Sequence, residues 1–155
     1  MTNPFSDVYF MKQALAEAQL AAREGEVPVG AVIVSGDVII ARAHNQTERL
    51  NDPTAHAEML AITSATAALG AKYLTECRLY VTVEPCVMCA GAIGWAQLAS
   101  VIYGTPDEIR GFTRFAPKAL HPKTEVYSGV MDAECAAEMK TFFRDKRYKI
   151  LDLRF

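Results

Sequence analysis

His56-Ala57-Glu58 and, about thirty residues later, Pro85-Cys86-Val87-Met88-Cys89 bring one imidazole, one carboxylate and two thiols into two short runs. Two thiolates and an imidazole form a donor set that suits zinc. Cys86 and Cys89, at i and i+3 of a predicted helix, present both sulfurs on one face. Pro85 suits the first position of that helix, where unpaired N–H groups and the positive dipole end lower a thiol pKa. His56 opens an apolar-periodic run predicted helical from Ala55 to Leu69, with Thr54 of Asp52-Pro53-Thr54 as its N-cap. All three candidate ligands, His56, Cys86 and Cys89, thus fall at helix starts.

A structural zinc would close its tetrahedron with a fourth Cys or His. Neither Cys77 nor Cys135 stands at such a spacing, so the fourth position is open to water. Glu58, two residues from His56, points to a different side of the helix and reads as a proton carrier and not a ligand. Zinc lowers the pKa of bound water, and Glu58 takes the proton released. The nucleophile attacks a ring carbon bearing an amino group; Glu58 then protonates the ring nitrogen and the departing amine. The chemistry is hydrolytic deamination, with one zinc ion per chain and Glu58 as the catalytic residue. A redox Cys-x-x-Cys or a structural zinc knuckle would use the same two cysteines, but neither accounts for the His-x-Glu half of the pattern.

The elements that must position these groups are legible as periodicities. Asp7 to Glu24 carries Val8, Met11, Leu15, Ala18 and Ala22 at helical spacing, between Ser6 as N-cap and Gly25 as stop. Val29–Val34 and Val38–Ala43 flank Ser35-Gly36-Asp37 and read as a β-hairpin. After the 55–69 helix, ended by Gly70, Leu79–Val83 and Val101–Tyr103 are strands on either side of the Pro-Cys helix, which predicts that they pair in parallel. Residues 105–124 read as a long loop with at most one helical turn, Glu125–Ser128 as a fifth strand, and Asp132–Tyr148 as a closing helix. Its predicted apolar stripe is Ala136, Met139, Phe142 and Phe143. The predicted fold is α/β, a three-layer α/β/α arrangement with a five-stranded mixed sheet, formed by residues 1–155 as a single domain.

Length, 155 residues, and a hydrophobic content of 51% fit one soluble globular domain. No charged, apolar leader and no run of eighteen or more apolar residues is seen, so the expectation is a cytoplasmic protein without a membrane partner. Cys77 and Cys135 lie in apolar neighbourhoods and are expected to be reduced, buried thiols. A net charge of −2 argues against indiscriminate polyanion binding yet permits a local basic patch. Arg144, Lys146, Arg147 and Lys149 form one; it reads equally as a solvated helix end or as a phosphate contact.

His-x-Glu followed by Pro-Cys-x-x-Cys is the signature of the zinc deaminases. With it, Gly25-Glu26-Val27-Pro28-Val29-Gly30-Ala31, Asn45, Asp52-Pro53-Thr54-Ala55, Leu79-Tyr80-Val81-Thr82-Val83-Glu84, Ala90-Gly91-Ala92, Glu134-Cys135-Ala136-Ala137 and Phe142-Phe143-Arg144 resemble the bacterial tRNA adenosine deaminases of the cytidine deaminase-like superfamily. The resemblance covers most of the chain. It implies a cytidine deaminase-like fold, a homodimer, and conversion of a wobble adenosine to inosine, with the base flipped out of a tRNA anticodon loop. At matching positions it implies that Asn45 hydrogen-bonds the purine or ribose, that Val27 walls the base, and that the Ala57 backbone N–H meets the ring edge. Phe142, Phe143, Arg144 and Arg147 would lie near RNA. The residues alone leave open a loop Asx-turn for Asn45 and core packing for Val27 and the two phenylalanines.

Two stretches depart from that family. Gly104 to Leu120 keeps Asp107 and Gly111, but where the family commonly has a glycine- and alanine-rich run it carries Phe112, Arg114, Phe115, Pro117 and Lys118. These could stack bases and contact phosphates, or pack the loop down. Gly91-Ala92-Ile93-Gly94-Trp95-Ala96 resembles bacterial guanine deaminases, which makes a free-purine deaminase the alternative function. Salt-sensitive tRNA binding through Lys118, Lys123, Arg144 and Arg147 would separate the two. A non-catalytic RNA-binding module with a structural zinc is a third possibility, against which the intact Glu58 stands. His44 and His121 read as hydrogen-bonded loop residues.

Overall fold

The computed structural model describes residues 5–153, with side-chain environments through Arg147. In chain order the elements are α1 (Asp7–Arg23), β1 (Gly30–Ser35), β2 (Val38–His44), α2 (Ala57–Leu69), β3 (Cys77–Val83), α3 (Val87–Ala96), β4 (Ser100–Thr105), α4 (Phe112–Phe115), β5 (Glu125–Ser128) and α5 (Asp132–Leu153). The five strands form one mixed sheet in the order β2-β1-β3-β4-β5. β1 pairs antiparallel with β2 and β3, whereas β3–β4 and β4–β5 are parallel.

Alternation along the central strands feeds two cores, because successive side chains leave a strand on opposite faces. Ala31, Ile33, Leu79, Val81, Val101 and Tyr103 pack with Ala57, Ala61 and Ala65 of α2 and Ala90 and Ile93 of α3. Val32, Val34, Tyr80 and Ile102 pack with Phe10, Met11 and Ala14 of α1 and Cys135 of α5. The result is the expected three-layer α/β/α architecture. It places α2 and α3, the helices that begin at the candidate ligands, side by side on one face.

Several local expectations need correction. In α1 the buried line is Phe10, Met11, Ala14, Ala18 and Ala21, whereas Val8 is 46% exposed. α1 is pressed onto β1 so closely that a Cβ on Gly30 would lie 2.5 Å from the Ala18 nitrogen. Only the small-residue line Ala14–Ala18 tolerates that approach. α2 begins at Ala57 with His56, not Thr54, as N-cap. The reason is local: Asp52 Oδ1 accepts both the Thr54 N–H (2.8 Å) and its hydroxyl (2.7 Å), which ties Thr54 into an Asx-turn. α3 likewise begins two residues later than expected, at Val87, with Cys86 as N-cap and Pro85 outside the helix.

α5 extends beyond the expected Tyr148, so Arg144, Lys146 and Arg147 lie within it and not at its end. The Lys149 side chain is outside the described residues. Of the predicted stripe, Ala136, Met139 and Phe142 are half-buried and Phe143 is 42% exposed; the fully buried contact is Cys135. The 105–124 segment contains α4 as its single helical turn. Among the described residues, no helix is long and apolar enough to cross a membrane.

Candidate metal centre

His56 and Cys86 are N-cap residues in matching extended conformations (φ −74, ψ 153 and φ −72, ψ 173), and neither side chain caps its helix. An N-cap side chain ordinarily turns back onto the orphan amides. Here both instead turn toward each other across the gap between α2 and α3, and Cys89, in the first turn of α3, completes a trio. His56 Nδ1 lies 3.6 Å from Cys86 Sγ and 3.5 Å from Cys89 Sγ, and the three ligand atoms all fall within 4.8 Å of one another. Tetrahedral zinc, with bonds of about 2.3 Å to sulfur and about 2.0 Å to nitrogen, separates its ligand atoms by about 3.5–3.8 Å. The donor set and its spacing therefore fit zinc.

The three groups shift one another's titration. The Cys89 thiol donates to Cys86, which pulls Cys86 down to about 4, and His56 pulls the same way. Cys89 is raised by that same bond, by burial and by the negative charge of Glu58. His56 is raised chiefly by its hydrogen bond to Cys86. Positive dipole ends of two helices face the cluster and favour thiolate.

Glu58 lies outside the trio of ligand atoms. It is 4% exposed, and burial pushes its carboxyl up to about 7, with the Cys86 thiolate adding to the shift. A carboxyl that titrates near neutrality both accepts and returns a proton, which is the property a single acid–base residue requires.

Asn45 follows β2 and is 8% exposed. Its Oδ1 accepts the Ala57 N–H at 2.9 Å, satisfying the first orphan amide of α2. The Ala57 N–H, expected at a ring edge, thus bonds Asn45 in the substrate-free chain. The group left to meet a substrate is Asn45 Nδ2, which has no partner among the described residues and, since no buried side-chain nitrogen or oxygen lacks one, touches solvent. Val27 is half-buried. Beside it Glu26, 1% exposed, accepts the N–H groups of Glu48 (3.0 Å) and Arg49 (2.9 Å) and fixes the loop after Asn45.

Phe142 and Phe143 meet edge to face at 5.3 Å. Phe142 lines a shallow groove with Ala22, Gly25 and Lys146, so it packs α5 beside the end of α1, two residues from Val27. Phe143, Arg144 and Arg147 are exposed. In the divergent segment Phe112 is buried, whereas Phe115 is 58% exposed under the Arg114 guanidinium at 5.4 Å.

Glu26, Glu84 and His44 carry positioning contacts that the motifs did not flag. His44 ends β2, with Glu17 at 2.9 Å and Glu24 at 3.0 Å on its two ring nitrogens. His121 accepts the Lys123 N–H within its own loop, as expected. The available signal for Glu26 and Glu84 was a lone carboxylate between apolar residues.

The zinc-binding region of cytidine and deoxycytidylate deaminases, taken as a family profile, matches residues 5–105. A tRNA-specific adenosine deaminase of Agrobacterium fabrum (strain C58) is 44% identical over 144 residues, 90% of this chain and 95% of that protein. A solved structure from work on A-to-I editing by tRNA:A34 deaminases superposes with a TM-score of 0.79 at 43% identity, covering 84% of this chain and 98% of the other. A guanine deaminase of Bacillus subtilis superposes with a TM-score of 0.60 at 45% identity, over 63% of this chain and 62% of the other.

Proposed function

Because the chain belongs to the cytidine and deoxycytidylate deaminase zinc-binding family, we propose that it is a zinc-dependent hydrolase that converts the wobble adenosine of a tRNA anticodon to inosine. The observation that carries this reading is the convergence of His56, Cys86 and Cys89 at two helix starts, with buried Glu58 beside them and outside the trio. The tRNA:A34 deaminase structure is 43% identical over 84% of this chain, whereas a guanine deaminase structure that covers 88% of it is only 21% identical, which favours the polymeric substrate.

His56, Cys86 and Cys89 hold one zinc per chain. A zinc ion held there would supply a water whose pKa lies near neutrality. Glu58 removes the proton of the attacking water and delivers it to the purine ring nitrogen. It then moves the proton of the hydroxyl now on the ring carbon to the amino group, which leaves as ammonia as the carbonyl forms. Asn45 Nδ2 donates to an acceptor of the flipped base or its ribose, its amide being fixed in orientation by the Oδ1 bond to Ala57. Val27 forms one wall.

The enzyme is a homodimer. Val87, Gly91 and Trp95 share one face of α3, and Trp95 is 83% exposed with Val87 at 45%. A second copy covers this surface. Residues 1–155 act as one deaminase domain. The tRNA substrate places it in the cytoplasm, with which four unpaired cysteines accord.

α5 supplies the RNA contact through Phe143, Arg144 and Arg147, all exposed on the helix that lines a groove with Ala22 and Gly25 at the end of α1. Reversing Arg144 and Arg147 to glutamate weakens tRNA binding and makes its salt dependence shallower by about one to two counterions. Zinc content and thermal midpoint are unchanged. Titrating binding against salt checks this; an unaltered slope removes α5 from the interface.

A further inference from the structure

Glu84 is the last residue before Pro85-Cys86 and is 5% exposed. No cation pairs with it among the described residues. Its carboxylate instead accepts the Asp107 N–H at 3.1 Å on one oxygen, and the Thr113 N–H at 3.0 Å and hydroxyl at 2.7 Å on the other. A buried carboxylate held by amides and a hydroxyl is a demanding arrangement, because each donor lost leaves charge unsatisfied. The chain around it is stitched in the same sense. The Glu84 N–H donates to Thr105 (2.9 Å), the Phe112 N–H donates to the Pro85 carbonyl (3.0 Å), and Cys86 forms an isolated bridge with Gly111.

Gly111 shows how closely the segment is drawn in. Its backbone (φ −61, ψ 141) is one that alanine adopts freely, so backbone freedom is not what glycine supplies. A Cβ there would run into the Glu84 carboxylate and lie 2.5 Å from the Asp107 carbonyl. Residues 107–113 are therefore wrapped around one carboxylate whose own peptide leads directly into a metal ligand. This turn presents Ile109, 76% exposed, and Arg110, also exposed, to solvent immediately before Gly111, the residue that bridges to Cys86.

We propose that Glu84 is a positioning residue for substrate specificity: it locks the 107–113 turn to Cys86, so that the turn forms a fixed wall for the RNA flanking the target base. The inference rests on the tRNA reading above. The turn contains neither Glu58 nor a proposed metal ligand, so loosening it affects how the polymer is held and not the bond-breaking step. Glu84→Gln places an amide donor against the Asp107 or Thr113 donors and releases the turn. Gly111→Ala attacks the same contact from the other side.

The test is steady-state kinetics on a wobble-adenosine anticodon stem-loop, with zinc measured per chain. Glu84→Gln raises KM by about tenfold, keeps kcat within about threefold and keeps its zinc. Gly111→Ala gives the same signature, and the double variant is no worse than the more affected single one, since both break one contact. Thr113→Val, which removes a single hydroxyl and preserves the fold, raises KM by about threefold. Additive losses, a fall in kcat at unchanged KM, loss of zinc, or an unchanged KM in Thr113→Val would overturn the proposal. A wild-type protein that leaves the stem-loop unedited would instead defeat the tRNA reading, and this inference with it.

Discussion

Glu58→Gln retains one zinc per chain and loses kcat by about 10²–10⁴-fold, the range supplied by a positioned acid–base group. Its carboxylate is the one group beside the trio that can carry protons from water to ring and then to ammonia, and a carboxamide of the same shape can do neither. Glutamine is the better substitution because Glu58 is 4% exposed, and alanine would add a cavity to the lost chemistry. A stability signature accompanies the kinetic one. Burial raises the Glu58 carboxyl from 4.5 to about 7, so the folded state binds this proton more tightly than the unfolded chain. The metal-free protein then loses stability as pH rises from 4.5 to about 7, by up to about 3 kcal/mol. Metal-free Glu58→Gln lacks that loss and melts higher than metal-free wild type at pH 8. Metal analysis, stem-loop kinetics and melting curves check the three parts; near-wild-type turnover would remove Glu58 from the mechanism.

Cys86→Ala abolishes both metal and turnover. Two ligands cannot hold zinc against chelation as three do; Cys89 and His56, 3.5 Å apart, are what remains of the trio. Because metal binds only the folded chain, its binding energy adds to stability. Chelator therefore lowers the melting midpoint of wild type and leaves that of Cys86→Ala unmoved. The proton arrangement fixes the pH dependence. Cys89 is raised and keeps its proton at neutral pH, yet a metal requires it as thiolate, so uptake releases that proton and apparent affinity strengthens as pH rises. Calorimetry in buffers of different ionisation enthalpy measures the release; metal bound by Cys86→Ala at full stoichiometry would exclude Cys86 as a ligand.

Chemistry was more legible than its scaffolding. The trio and Glu58 stood out because metal and acid–base chemistry demand particular side chains at particular spacings. The strands were legible because two apolar cores force alternation on β1, β3 and β4. Helix starts were displaced for a reason hidden in side-chain competition. Thr54 has the right hydroxyl for a cap, but Asp52 binds it first, and the cap position passes to His56. The face of α1 was hidden as well, since apolar residues lie on both sides of the helix and only the close approach at Gly30 selects Ala14 and Ala18. Glu26 and Glu84 were least legible of all, because most of their partners are backbone N–H groups, which leave no mark in side-chain identity.

One competition identifies the substrate. Zinc-loaded protein is incubated with both an anticodon stem-loop carrying adenosine at the wobble position and free guanine, and inosine and xanthine are quantified together. Inosine is expected at the wobble position, with no xanthine above the enzyme-free control. Xanthine without inosine, at verified zinc content, would contradict the tRNA reading and make the chain a free-purine deaminase.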